Sequence, residues 1–351
     1  MTFEGITRTL PEWLSEDGPD SLVVLSSRAR IARNIEGFLY AHRADDDTLG
    51  QVVEEVLAAA AASGFNKDNF FETGTLDDLK KIVLVERHLI SQALAGKSGP
   101  RGVIVRESEL SSVMINEEDH LRIQALCPGF NTEKALETAL DIEENLAKEI
   151  SFSRSDKLGY LTACPTNLGT GLRVSVLLHL PALVMTKEVQ RLVKSSGQLG
   201  LAVRGYRGEG TDVVGNLFQI SSQKSFGRSV GDILETLNAA VRQIVEYEKT
   251  AADVLMKKAH IHVLDKIWRS VGILKTAHVM MSHEFMNLSS AVRLGIFYGI
   301  IKRPEIKTLN ELMIMTQPGH LQERAGGRFE PSERDHIRAD IVRERFVDVP
   351  V

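Results

Sequence analysis

K-I-V-L-V-E-R at 81–87, G-V-I-V-R-E at 102–107 and S-V-M-I-N-E-E-D-H at 112–120 stand within forty residues of one another. Each run has the length and β-branched content of a strand, and only loop-length segments join them. Neighbouring strands joined this way pair antiparallel, since a regular βαβ alternation needs a helix between them. An antiparallel sheet is therefore the expected frame. A fourth run, S-L-V-V-L-S-S-R-A-R-I-A-R-N from Ser21, reads as a strand with a basic end. Side chains at i and i+2 share a strand face, so Ser26, Arg28 and Arg30 project together. Two adjacent guanidiniums repel unless an anion joins them, and phosphate suits the planar fork of arginine. A solvated edge strand explains the same residues equally well at this point.

The remaining segments divide between sheet and helices. The 46–63 region fits an amphipathic helix with Leu49, Val52, Val53, Val56 and Leu57 on one face and Gly64 as its stop. Residues 132–150 fit another, and a helix is expected from Pro181 to about Ser196. L-A-V-R-G-Y-R-G-E-G-T-D-V-V-G-N-L-F-Q-I-S-S-Q at 201–223 reads as strand, glycine-rich loop, strand. From Ser229, with Asp232 completing a capping box, helical periodicity runs in pieces to about Met315, with breaks expected near Gly272, Pro304 and Pro318. Residues 1–20 form a polar lead-in, 21–255 an α+β domain and 256–351 a mostly α-helical one.

Composition excludes several classes. The 351 residues carry a net charge of -5, which gives no reason to expect nucleic acid as a partner. No apolar run is long enough to span a membrane, and the first residues lack an export pattern, so a cytoplasmic setting is expected. The two cysteines, Cys127 and Cys164, support neither a disulfide framework nor a cysteine zinc site. A-G-K-S at 95–98 is not a P-loop, because Ser91 stands where the first glycine belongs. Histidines 260, 262, 278 and 283 have no ligand spacing and read as structural.

C-P-T-N-L-G-T-G-L-R at 164–173 is the densest chemical stretch. Its glycines let the backbone lie close to a ligand, and Arg173 opens the strand-like R-V-S-V-L-L. Arg204, Arg207 and Glu209 among four glycines suggest a loop that closes on an anion. Glu117, Glu118 and Asp119 read alone as a solvated acidic turn, with Arg122 as a surface pair worth little.

Together, S-S-R-A-R at 26–30, N-E-E-D-H-L-R at 116–122 and C-P-T-N-L-G-T-G-L-R at 164–173 closely resemble the signature segments of the ATP:guanidino phosphotransferase (phosphagen kinase) family. R-G-Y-R-G-E at 204–209 is similar to the mobile loop of its arginine kinase branch. Only 25 residues precede Ser26, where phosphagen kinases carry a helical domain, and an extra helical region follows instead. That layout resembles the bacterial protein arginine kinase (McsB-type) branch. R-D-H-I-R-A at 334–339 is similar to that branch's phosphoarginine-binding motif.

The resemblance implies a glutamine-synthetase-like sheet and transfer of the ATP γ-phosphoryl group to arginine side chains of proteins. It implies Glu118 and Glu209 as guanidinium-clamping carboxylates, and Cys164 as a reactive thiol beside them. For ATP it implies Ser26, Ser27, Arg28, Ala29, Arg30, His88, Arg122, Arg173, Val174, Ser175, Val176, Leu177, Arg204, Gly205, Tyr206, Arg207 and Gly208, with Mg²⁺ held through the phosphates. Arg334, Asp335, Arg338 and Ala339 are implied as an allosteric phosphoarginine pocket. Implied partners are protein substrates, a zinc-binding activator, an AAA+ unfoldase–protease, a heat-shock repressor as substrate, and a second copy or larger assembly. A kinase of a free guanidino metabolite and a non-catalytic phosphoarginine adaptor are the rival readings.

Overall fold

The structure, a computed structural model, describes residues 3–206 and 213–349. Its frame is an eight-stranded sheet in the order β2-β3-β4-β5-β1-β8-β10-β9, every neighbouring pair antiparallel. The strands are β1 (Val24–Arg33), β2 (Phe70–Glu72), β3 (Gly102–Val105), β4 (Ser111–Ile115), β5 (Leu121–Pro128), β8 (Leu172–His179), β9 (Leu201–Gly205) and β10 (Leu217–Ser222). A separate two-stranded ribbon pairs β6 (Arg154–Ser155) with β7 (Gly159–Tyr160).

Period-two alternation gives the sheet two unlike faces. Ala29 and Ile31 of β1, Ile123 and Ala125 of β5, Val174 and Val176 of β8, and Ile220 of β10 enter one apolar core. Helices Asp46–Ala62 and Thr132–Leu146 and the front half of helix Val230–Thr276 supply its other wall. The alternate residues lie on the opposite, polar face. That face is closed at one end by a second core, in which Leu126, Leu177 and Leu217 meet Leu309 and Leu312 of helix Ile306–Met315. The lead-in joins that core too, with Trp13 and Leu14 fully buried.

Three expectations are corrected. Residues 81–87 are not a strand: helix Asp78–Glu86 occupies them, started by the Asp77 carboxylate accepting from the Lys80 N–H at 3.0 Å. The β-branched run misled because Val83 and Leu84 are buried while Ile82 is exposed, a helical rather than alternating pattern. The helix after Pro181 is two, Pro181–Met185 and Val189–Gln198, separated where Lys187 takes φ 63°. Gly272 breaks nothing. Helix Val230–Thr276 runs through it, opened by a reciprocal Ser229–Asp232 capping box and non-helical only at Ala259. Helices Ser282–Phe297, Pro318–Ala325 and Pro331–Phe346 complete the chain with Ile306–Met315.

Candidate active site

The polar face of the sheet carries a cluster of cations in register. Arg30 of β1 stands opposite Arg173 of β8 and Gln124 of β5. Arg28 stands opposite Ser175, and Arg204 of β9 opposite Gln219 of β10. With Arg122 these side chains line a cleft of about 760 Å³, roofed by helix Asp78–Glu86 and by His88, Ser91 and Tyr206. The arginines press on one another. Burial, then Arg122 and Arg173, pushes Arg28 down to about 9. Arg30 lies well below its ordinary value through burial and then Arg28, Arg122 and Arg173. Arg173 is lowered by burial and then by Arg204 and Arg122. The buried Nε atoms of Arg30 and Arg173 have no hydrogen-bond partner among the described residues. Buried donors without acceptors are costly, and a polyanion between these strands supplies both acceptors and countercharge.

Two groups tune the cluster. His88 takes φ 61°, its ring packs edge-on to Trp13 and Tyr206, and Nε2 lies 3.3 Å from the Tyr206 hydroxyl. Burial and then Arg28 and Arg30 push its ring down to about 3, so it is neutral. Burial opposes ionisation of Glu117, but Arg122 and the Ser91 hydroxyl outweigh it and hold its carboxyl below the ordinary range. Arg122 Nη1 reaches both Glu117 oxygens at 2.7 Å. The expectation of a surface pair is therefore corrected, because Glu117 is only 5% exposed.

Glu118, next in the chain, is exposed at the tip of the β4–β5 turn. Asp119 turns inward and ties that tip to the Cys164 loop, its Oδ1 accepting from the Ala163 N–H at 2.6 Å and from Asn34 Nδ2 at 2.7 Å. Cys164 Sγ lies 3.0 Å from Thr166 Oγ1, at the start of a short 3-10 turn over 165–167. The chain then needs Gly171 at φ +64°, where a β-carbon would come within 2.5 Å of Arg33 Nη1. Charge on Cys164 is felt by Arg173. The acidic tip, the thiol and the arginines thus border one region.

The remaining site residues fall into four groups. Ser26, Ser175 and Leu177 lie on the polar face, beneath His88 and Tyr206. Ser27, Ala29, Val174 and Val176 turn to the opposite side; Ser27 Oγ donates to the Gly129 carbonyl at 2.8 Å and the other three are core. Gly205 ends β9. Arg207, Gly208 and Glu209 lie outside the described residues.

Gln124, Ser91, Gln219 and Ser221 line or brace the cleft and escaped the sequence reading. The alternation Arg122, Gln124 against Ile123, Ala125 in L-R-I-Q-A-L-C was a legible signal for them.

A second arginine constellation sits on helix Pro331–Phe346. Arg338, 1% exposed, donates to the carbonyls of Thr316 (2.9 Å) and Met280 (2.8 Å) and to Asp335 Oδ1 (2.6 Å). Arg334 Nη1 donates to the Phe329 carbonyl at 3.2 Å, and Ala339 is fully buried. Asp335, its side chain 22% exposed, and Arg334 keep solvent-facing edges, whereas Arg338 and Ala339 are buried.

Comparison with known proteins accords with this geometry. The family model for the ATP:guanido phosphotransferase C-terminal catalytic domain matches residues 49–251, and that for the protein-arginine kinase McsB C-terminal domain matches 260–350. The protein-arginine kinase of Geobacillus thermodenitrificans (strain NG80-2) is 44% identical over 350 residues, covering 99% of this chain and 96% of the relative. That of Halalkalibacterium halodurans is 45% identical over 344 residues, covering 97% and 96%. Among solved structures, a lombricine kinase superposes with a TM-score of 0.57 at 25% identity, covering 69% of this chain and 71% of that one. The duplicated taurocyamine kinase of Schistosoma mansoni with transition-state analogue components shares the fold, with a TM-score of 0.57 at 20% identity over 81% of this chain and 40% of that one. The chain is thus a kinase of the ATP:guanido phosphotransferase family and belongs to its bacterial protein-arginine kinase branch.

Proposed function

We propose that this protein transfers the γ-phosphoryl group of ATP to arginine side chains of proteins, giving ADP and N-phosphoarginine. The observation that carries the proposal is the row of mutually repelling arginines on one sheet face, with unpartnered Nε atoms on Arg30 and Arg173. In this reading Arg28, Arg30, Arg122, Arg173 and Arg204 grip the phosphates, and the neutral ring of His88 and the Ser175–Leu177 edge border the nucleoside. Mg²⁺ held through the phosphates would offset charge on their oxygens. The residues fit an ion held that way, since the buried carboxylate beside the cluster, Glu117, already has Arg122 and Ser91 on its oxygens.

The acceptor chemistry follows from arginine itself. A guanidinium remains protonated, with a pKa above ~12, and is a poor nucleophile. Glu118 and Glu209 clamp it, and one accepts the proton released as the N–P bond forms and the γ-phosphorus–oxygen bond to ADP breaks. The cations speed transfer by positioning and by stabilising charge on the γ-phosphoryl oxygens. Cys164, near Arg173, holds the acceptor electrostatically without forming a covalent intermediate.

Further roles follow from membership of the branch. We assign residues 21–255 to the catalytic domain and 256–351 to a regulatory one in which Asp335 and Arg334 read phosphoarginine while Arg338 and Ala339 fix the pocket. In the cytoplasm the mark directs proteins to an AAA+ protease during stress, with a zinc-binding activator, a heat-shock repressor as substrate and self-association as the further partners.

The test is Glu118→Gln against Glu117→Gln, scored by transfer of labelled phosphate to an unfolded protein. Glu118→Gln removes turnover by about 10²-fold or more without changing the unfolding midpoint. Undiminished labelling by that variant excludes Glu118 from the reaction. Glu117→Gln weakens nucleotide binding instead, because it releases Arg122.

A further inference from the structure

A second cleft, of about 640 Å³, opens across the Gly169–Gly171 loop from the arginine cleft. Its walls are the end of β1, helix Thr132–Leu146, the β6–β7 ribbon and the segment leading into helix Val230–Thr276. The floor is already satisfied. Arg33 is salt-bridged to Glu143 at 2.6 Å, donates to the Thr170 carbonyl at 2.9 Å and stacks 3.4 Å above the Tyr160 ring. Ser225 Oγ donates to the carbonyls of Leu168 (2.8 Å) and Thr166 (3.2 Å), so one wall is fastened to the loop that begins at Cys164.

The rim is different. Arg154 and Lys157 are exposed and Arg228 is half-buried, and none has a carboxylate within ion-pair distance among the described residues. Arg228 Nη2 donates to the Asp232 carbonyl and the Thr236 hydroxyl, and the Asp232 carboxyl feels its charge. Between these cations lie Phe226, 52% exposed, and Leu158, 41% exposed. Three positive charges, that of Arg228 partly offset by Asp232, surround exposed apolar side chains and run against a net charge of -5 for the whole chain. A small anion has no use for the apolar surface, whereas a polypeptide with both acidic and apolar side chains satisfies cations and surface together.

We infer that this cleft docks the stretch of substrate polypeptide that flanks the target arginine, and that it selects acidic and apolar residues there. The inference deepens the protein-arginine reading: the acceptor guanidinium enters on the Cys164 side of the loop while its neighbours in the chain lie on the Gly169–Gly171 side. Arg154, Lys157 and Arg228 are then specificity-determining rather than catalytic.

The experiment uses two fluorescent peptides without arginine, one of Asp, Glu, Leu and Phe and the other with lysine in place of the acids. Fluorescence anisotropy reads their binding to the full chain and to R154E/K157E. The wild type binds the acidic peptide in preference; the double variant weakens that binding about tenfold and shifts preference to the basic peptide, at an unchanged unfolding midpoint. With an acidic unfolded protein as substrate, the variant's KM rises while kcat and the KM for ATP hold. Equal affinity of wild type and variant for the acidic peptide, equal affinity of the wild type for both peptides, or preference for an oligonucleotide overturns the inference. Because the peptides carry no arginine, charge-dependent binding without any protein phosphorylation would instead defeat the kinase reading and leave the docking cleft intact.

Discussion

Two sets of arginines in this molecule have opposite surroundings. Arg33, Arg87 and Arg338 each face a carboxylate, on Glu143, Glu109 and Asp335, and donate besides to backbone carbonyls. Arg28, Arg30 and Arg173 face mainly one another and hydroxyls, with Nε left over on two of them. The first set stabilises the fold. The second is tolerated by it, because like charges buried together cost free energy until an anion joins them. What separates these two sets is a resident counter-ion, present for the three fully buried arginines and missing for the three half-buried ones that face the cleft.

That contrast can be broken from either side. Arg87→Ala strands Glu109 in the interior and lowers unfolding free energy by about 3–5 kcal/mol, measured by denaturant titration. Arg30→Ala acts in the other direction: turnover falls by about 10²-fold or more, while the unfolding midpoint stays level or rises as a repelling neighbour disappears. A midpoint that dropped as far as that of Arg87→Ala would erase the distinction between the sets. Inorganic tripolyphosphate at ten times its Kd stabilises the wild type by about 1.4 kcal/mol and leaves Arg30→Ala nearly unmoved, read as a thermal shift.

The smallest effect appears only in acid. An unfolded histidine takes up its proton near 6.5, but the buried His88 ring resists until about 3, so the unfolded chain holds more protons between those values. Stability from this group is therefore complete above pH 6.5 and is lost as pH falls towards 3. His88→Gln makes that acid limb shallower in a pH series of unfolding midpoints.

Much of this was legible in the chain. The i, i+2 spacing of Ser26, Arg28 and Arg30 pointed to one polar strand face and the alternation that follows Arg173 to a second strand, but that the two lie side by side comes only from the fold. The antiparallel frame was right although one of its supporting runs, 81–87, is a helix. A β-branched heptapeptide does not record its own partner, and here packing beneath helix Pro318–Ala325 overrides strand propensity: Glu86 accepts from the Gly319 N–H at 2.7 Å. The acidic turn was legible as composition only. That Glu117 is buried on Arg122 while Glu118 is exposed depends on the turn at Asn116, whose φ of 59° no spacing rule announces. Nor does the sequence show the burial of Arg338, which rests on two long-range carbonyls, of Thr316 and Met280, and on Asp335 one turn away.

The most direct measurement of the central claim is mass spectrometry under conditions that preserve the acid-labile P–N bond. The protein is incubated with Mg·ATP, an unfolded substrate protein and an equal concentration of free arginine. The account predicts a phosphoryl group on arginine side chains of the substrate protein, with ADP formed in equal amount. Phosphorylated free arginine beside an unmodified protein would contradict it.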